Sequence, residues 1–456
     1  MSSTPNADAA TAFITGTADR RLPDAVLNAA RMCLVDWFGV AIGARDEGAA
    51  QVVGQVGQSW GHTGGAQVLF GAKADPATAA LINGTMAHCL DFDDTHVGSL
   101  AHLSGPTWAA TLAVGAALNS QPADMLQAFV TGFEIGARIG GGGFGEALNT
   151  RTLHSTGFCG CFAAAAAASV LLRLDTAQVG NALGAAATQA AGLTGSFGTM
   201  SKPFHAGKAA LNGVLAAQLA NAGFTAADNL IEAENGLATA LIQDGSQTIS
   251  AMTFAAGDWE ILRNTFKPYA SCLLTHPVID SARKLLPQIR ERAIKAVTIN
   301  VHPMAVQLAG KSNPQSPLEG KFSTAYCAAL ALSGHVVAAT DFSADRLHTP
   351  RLRDLITRVN LIATPEMEKT AASMTVTLTD GSLLKADTPL ALGNPGNPMQ
   401  WEDMEQKFIG LVEPVLGRRA APTYLCLRRF EASGDLDNVF AALAASCAEA
   451  KELITH

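Results

Sequence analysis

Residues 158–172 are small or apolar throughout, with an unbroken run of alanine at 163–168, and residues 175–191 again carry small side chains at helical spacing. Helices surfaced by alanine and glycine let their backbones approach closely, so such a chain is committed to a densely packed helical body. The 3.6-residue recurrence is also present at 22–44, where Val26, Ala29, Ala30, Cys33, Leu34 and Trp37 share one side. Asp75-Pro76 supplies a cap and a first-turn residue for a helix over 76–90. Helices are predicted at 108–118 and 123–139, the second ended by the glycine run at 140–143. The apolar run at 158–172 is shorter than the roughly 20 residues a bilayer needs, and it reads as a buried helix.

After Trp259 the pattern changes. Val297, Ile299 and Val301 alternate with polar neighbours in a strand predicted over 294–302. Further strand signals lie at 359–363 and 374–385, the latter turning at Asp380-Gly381. Helices are expected between them at 275–286, 323–333 and 351–358, and after them at 401–416 and 436–454. The fold class is therefore mainly α with a smaller α+β domain. A large helical domain is expected at 1–264, a small mixed α/β domain at 265–397, and returning helices at 398–456.

Within this apolar chain one stretch concentrates charge. Asp91, Asp93, Asp94, His88, His96 and His102 fall close together in a sequence with only 15% charged residues. Groups so costly to desolvate are paired or used. Asp91-Phe92-Asp93-Asp94-Thr95 resembles a phosphotransferase nucleophile motif, but it follows a helix where that chemistry needs a strand. A hard metal on Asp91, Asp93 and Asp94 stays open on ligand type alone. His154 is placed at the mouth of the alanine-rich helix. A second cluster, Ser201-Lys202-Pro203-Phe204-His205-Ala206-Gly207-Lys208, opens a helix and gathers two lysines and a histidine where an anion is favoured. A third, from Lys267 through Tyr269, Ser271 and Cys272 to His276, lies where the second domain begins, and Tyr326 is one of only three tyrosines. The glycines at 140–145 fit a dinucleotide fingerprint but follow a helix, which removes its physical basis.

A net charge of -8 disfavours nucleic acid and anionic membranes as partners. Scattered cysteines and a polar N-terminus without an apolar core point to the cytoplasm. Lysine, histidine, tyrosine and aspartate together suit removal of a proton next to a carboxylate, with fixed cations holding the charge that develops. Elimination, decarboxylation and epimerisation all use that set.

Taken in order, Asn83-Gly84, Ala87-His88, Leu90 to His96, Leu153-His154, Ser201-Lys202-Pro203, His205 to Ala210, Lys267-Pro268-Tyr269 and His276-Pro277 resemble the MmgE/PrpD family. The resemblance implies a large helical domain, a smaller α+β domain, a homodimer, and catalysis without metal or organic cofactor. It implies a small anionic carboxylic acid as substrate and a reaction like that of 2-methylcitrate dehydratase, with iminodisuccinate epimerase and cis-aconitate decarboxylase as the alternatives. His102, His154, Lys202, Lys267 and Tyr326 are the expected catalytic residues. Asp91, Asp94, Thr95, His96, His205, Lys208, Ser271 and Cys272 are expected to bind substrate. Two departures count against the decarboxylase: Ser271-Cys272 stands where its pattern has a histidine, and the Thr95–His102 spacing is one residue longer.

Overall fold

The computed structural model describes residues 5–454 apart from His62, Asp228, Glu232 and Ser433. The chain forms two compact units. One comprises Met1–Cys89, Asp93–Thr265 and Trp401–His456; the other comprises Leu90–Phe92 and Phe266–Gln400. The short segment Leu90–Phe92 groups with the smaller unit because Lys321 Nζ donates to the Leu90 carbonyl and Lys267 Nζ to the Asp91 carbonyl.

The larger unit is helical. Its main helices are Asp24–Gly43, Pro76–His88, Ser104–Leu118, Pro122–Gly140, Ser155–Leu171, Thr176–Ala187 and Ser201–Asn221, joined by Trp401–Leu416 from the far end of the chain. Asp75 caps Pro76–His88, its carboxylate accepting from the amides of Ala77 at 3.0 Å and Thr78 at 3.1 Å. Asp175 and Gln178 form a capping box before Thr176–Ala187. Small residues do what the composition suggests: a Cβ on Gly84 would lie 3.0 Å from Gly207 Cα, so Pro76–His88 and Ser201–Asn221 meet backbone to backbone. That contact carries His88 and Lys202 to one place. Larger side chains fill the remaining gaps. Trp108 stacks on Phe129 at 4.1 Å, and Trp37 donates its indole N–H to the Gly105 carbonyl at 3.0 Å. Truncating either tryptophan to alanine would cost about 3–5 kcal/mol.

Among the described residues Asp24–Gly43, not the alanine run, is the helix long and apolar enough to cross a membrane by length and composition. It is mostly buried among its neighbours, and Asp36 in its middle is ion-paired to Lys407. It is a core helix. Gly48–Ser59 and Ala420–Arg429 are helices that the sequence reading did not identify.

The smaller unit holds a four-stranded sheet in the order Val359–Ala363, Ile294–Val301, Ala372–Leu378, Leu383–Thr388. The first pair is parallel and the others antiparallel. The expected alternation holds, with Val297, Ile299 and Val301 buried beside Met374, Val376 and Leu378. The hairpin turns at Gly381, whose φ of 86° suits glycine. His302 leaves the strand one residue early, because its Nδ1 accepts from the Met304 amide at 3.1 Å and caps the Pro303–Ala309 helix.

Candidate active site

Pro76–His88 ends at the charged stretch, and the loop beyond it forces two non-glycine residues into left-handed backbone, Asp91 at φ 51° and Leu100 at φ 49°. Strain of this kind persists where surrounding contacts over-determine it. In the larger unit those contacts converge on Asp93. Its carboxylate takes His88 Nδ1 at 2.8 Å and His102 Nδ1 at 3.2 Å, all three groups being buried. Burial alone would raise the Asp93 pKa, but the two imidazoles outweigh it and hold the carboxyl well below the usual range. An ionised carboxylate can only accept, so both Nδ1 atoms carry their protons, and His88, whose pKa is lowered to about 4, keeps a lone pair on Nε2.

On His88 that lone pair meets Lys202 Nζ at 3.2 Å. Burial, with the charges of Lys202 and His102, lowers the His88 pKa to about 4 against the pull of Asp93. His88 is therefore a neutral bridge between a carboxylate and a cation. His102 repeats the arrangement at its Nδ1, with Thr95 Oγ1 also 3.4 Å away.

A second pair of histidines is held differently. His154 precedes Ser155–Leu171, its backbone N–H donating to the Gly192 carbonyl, and its Nδ1 lies 3.0 Å from His205 Nδ1. One of those two nitrogens must bear the proton that the other accepts. Burial and the charge of Lys202 lower both pKa values. Phe197 packs edge-on to the His154 ring at 4.9 Å, and the His88 ring stacks over it at 6.0 Å. His88, His102, His154, Thr95 and Lys202 thus share one buried neighbourhood, with the half-buried His205 at its side.

Other predicted residues of this unit lie outside it. His96 Nδ1 pairs with Ser99 and its Nε2 with Glu260, at 2.9 and 3.1 Å. Lys208 Nζ donates to Asn212 on its own helix. Asp94 accepts from Ser104 and from Asn264 Nδ2, and burial beside Asp36 raises its carboxyl pKa to about 7. Asp93 and Asp94 therefore face different partners. The group best spaced for an ion here includes His88, Asp93 and His102, whose ligand atoms lie within 4.8 Å of one another, a mixed nitrogen and oxygen set unlike the all-carboxylate one read from the sequence.

In the smaller unit Lys267 Nζ pairs with Asp91 Oδ1 at 3.1 Å and donates to the Asp91 carbonyl at 2.8 Å. Ser271 Oγ and Thr275 Oγ1 lie 2.8 Å apart, and the Cys272 amide donates to the Lys321 carbonyl. His276 opens the His276–Ile289 helix with Nε2 3.2 Å from the Ser271 carbonyl, which ties the ring to backbone. Tyr326 is fully buried, its hydroxyl donating to the Asp341 carbonyl at 2.8 Å.

The sequence reading did not choose His88 or Asp93 as catalytic or substrate-binding residues, and offered Asp93 only as one carboxylate of a possible metal site. Their signal was present: a histidine in the last turn of a capped helix with an aspartate five residues on, which a chain reversal brings face to face.

The MmgE/PrpD N-terminal domain matches residues 9–250 and the MmgE/PrpD C-terminal domain residues 269–426. The cis-aconitate decarboxylase of Aspergillus terreus is 28% identical over 432 residues, covering 89% of this chain and 86% of that protein. The Homo sapiens cis-aconitate decarboxylase is 28% identical over 356 residues, covering 74% and 72%. That of Mus musculus is 25% identical over 363 residues, covering 76% and 74%. With both domains matched in order over most of its length, the chain belongs to the MmgE/PrpD family.

Proposed function

We propose that this chain is a lyase that removes a proton α to a carboxylate of a small di- or tricarboxylic acid, dehydrating a 2-methylcitrate-like substrate. The observation that carries this reading is the Asp93 carboxylate accepting from two histidine Nδ1 atoms. It orients His102 and stabilises the imidazolium formed when Nε2 takes the proton. Lys202 supplies the positive charge for the substrate carboxylate on which negative charge builds. His154 and His205 are the acid pair. Their lowered pKa values belong to a site without substrate, and a polyanion beside them raises them. The hydroxyl then leaves as water with a proton from that pair, the C–H electrons becoming the new double bond. Lys267 and Tyr326 enter the proposal by family resemblance alone.

A second reading is decarboxylation, favoured by the names of the three relatives. There the histidine pair returns a proton to carbon after carbon dioxide leaves. The test is a panel of citrate, 2-methylcitrate, cis-aconitate and iminodisuccinate followed by proton NMR in deuterated water, with and without a chelator. Loss of water to an unsaturated acid, unaffected by the chelator, is the expected result. Release of carbon dioxide selects the second reading, and deuterium exchange with all atoms retained selects an epimerase. Turnover abolished by the chelator would replace the acid–base mechanism with one using an ion.

A further inference from the structure

The base identified above depends on where the Asp93 carboxylate points, and the peptide joining Asp93 to Asp94 has its own anchor. The Asp94 amide donates to Asp36 Oδ2 at 3.0 Å, and Asp36 Oδ1 is 2.6 Å from Lys407 Nζ. Asp36 lies in the middle of Asp24–Gly43 and Lys407 in Trp401–Leu416, and both side chains are buried. Neither is near a surface where an ion pair is worth little. Burial pushes the Asp36 carboxyl up, and Lys407 is the main influence against that push, by both charge and hydrogen bond. Asp36 is also crowded by Asp93 and Asp94, so three buried carboxyl groups lie around one lysine.

A buried ion pair is a poor way to gain stability, since apolar side chains of the same volume do as well or better. Its retention here fits a positional task. An ionised acceptor at Asp36 fixes the plane of the 93–94 peptide, which sets the side-chain direction of Asp93 and with it the Nδ1 contacts of His88 and His102. We propose that Lys407 and Asp36 are positioning residues for the His102 base, acting through the Asp93–Asp94 peptide. This rests on the proposed role of His102. It adds that a helix contributed by the last part of the chain holds the acid–base centre in register.

The test compares two double variants, each without a buried unpaired charge. Asp36→Asn/Lys407→Met keeps an acceptor for the Asp94 amide; Asp36→Leu/Lys407→Met removes it. The asparagine form is expected to keep kcat within about threefold of the parent. The leucine form is expected to lose roughly 10- to 100-fold in kcat with KM little changed, the size of effect a displacement of about 1 Å produces. Imidazole ¹⁵N spectra of the substrate-free proteins give a readout independent of any reaction. The His88 and His102 Nδ1–H signatures should survive in the asparagine form and weaken in the leucine form. Equal kcat and equal spectra in the two folded variants would overturn the proposal. If the leucine form does not fold, Asp36→Ala/Lys407→Met, which also removes the acceptor with a smaller side chain, is measured the same way, and parental kcat and spectra there would overturn it. If the parent turns over none of the panel acids, the lyase reading fails while the spectra still decide this one.

Discussion

The two histidine pairs of the larger unit differ in what holds them. His88 and His102 share a carboxylate, so the proton on each ring is fixed at Nδ1. His154 and His205 hold each other through a single N···N contact of 3.0 Å, and either ring can carry the shared proton. A carboxylate anchor makes a dependable base. A mutual pair can gain or release a proton as the charge beside it changes, which suits an acid that must be reloaded each turnover.

Breaking the anchor should have the largest effect. In Asp93→Asn the amide can present an N–H to one Nδ1 and reverse its tautomer, and kcat is expected to fall on the order of 10³- to 10⁴-fold with the protein still folded. Steady-state kinetics on the acid found in the panel measures it; a loss under tenfold would mean that His102 is not the base. Breaking the mutual pair should matter less. His205→Ala is expected to reduce kcat about 10²-fold, and His205→Asn, which restores a hydrogen-bond partner for His154, to recover most of it. Failure of asparagine to recover activity would show that His205 itself transfers the proton.

The smallest effect concerns the neighbouring carboxylate outside both pairs. The Asp94 carboxyl is raised to about 7, chiefly by burial and then by Asp36. The stability it contributes is fully present below its unfolded value near 3.9 and is lost as pH rises through about 7. Relative to Asp94→Asn, the parent should therefore lose stability between those limits, by at most about 1.4 kcal/mol per pH unit, and run parallel to it above. Urea unfolding of both proteins across that range reads the difference; parallel curves throughout would place the ionisation of Asp94 elsewhere.

Much of this architecture was legible in residue spacing. The Asp75-Pro76 cap, the alternation of Val297, Ile299 and Val301, and the Asp380-Gly381 turn each reflect a local rule that the fold obeys. Gly48–Ser59 was not legible, because Gly54 and Gly57 interrupt its apolar side and its register comes from packing on Ile82. At the site, His102, His154, Lys202 and His205 stood out by residue type and their place near helix starts. Asp93 was visible only as one of three similar aspartates. Which of them turned toward imidazole, toward Asn264 or toward Lys267 depended on backbone direction in a strained loop, and on partners more than a hundred residues away. Asp36 and Lys407 were hidden for the same reason, each lying within an otherwise apolar helix side.

The larger unit is interrupted by the smaller one, and Lys407 comes from the part that follows the interruption. During synthesis every histidine of the site, together with Asp93 and Lys202, leaves the ribosome well before the cation that neutralises Asp36. A nascent chain ending before Trp401 holds an aspartate buried in its central helix with no lysine to meet it. On the proposed role of this pair, the acid–base centre is completed only after the smaller unit has been made.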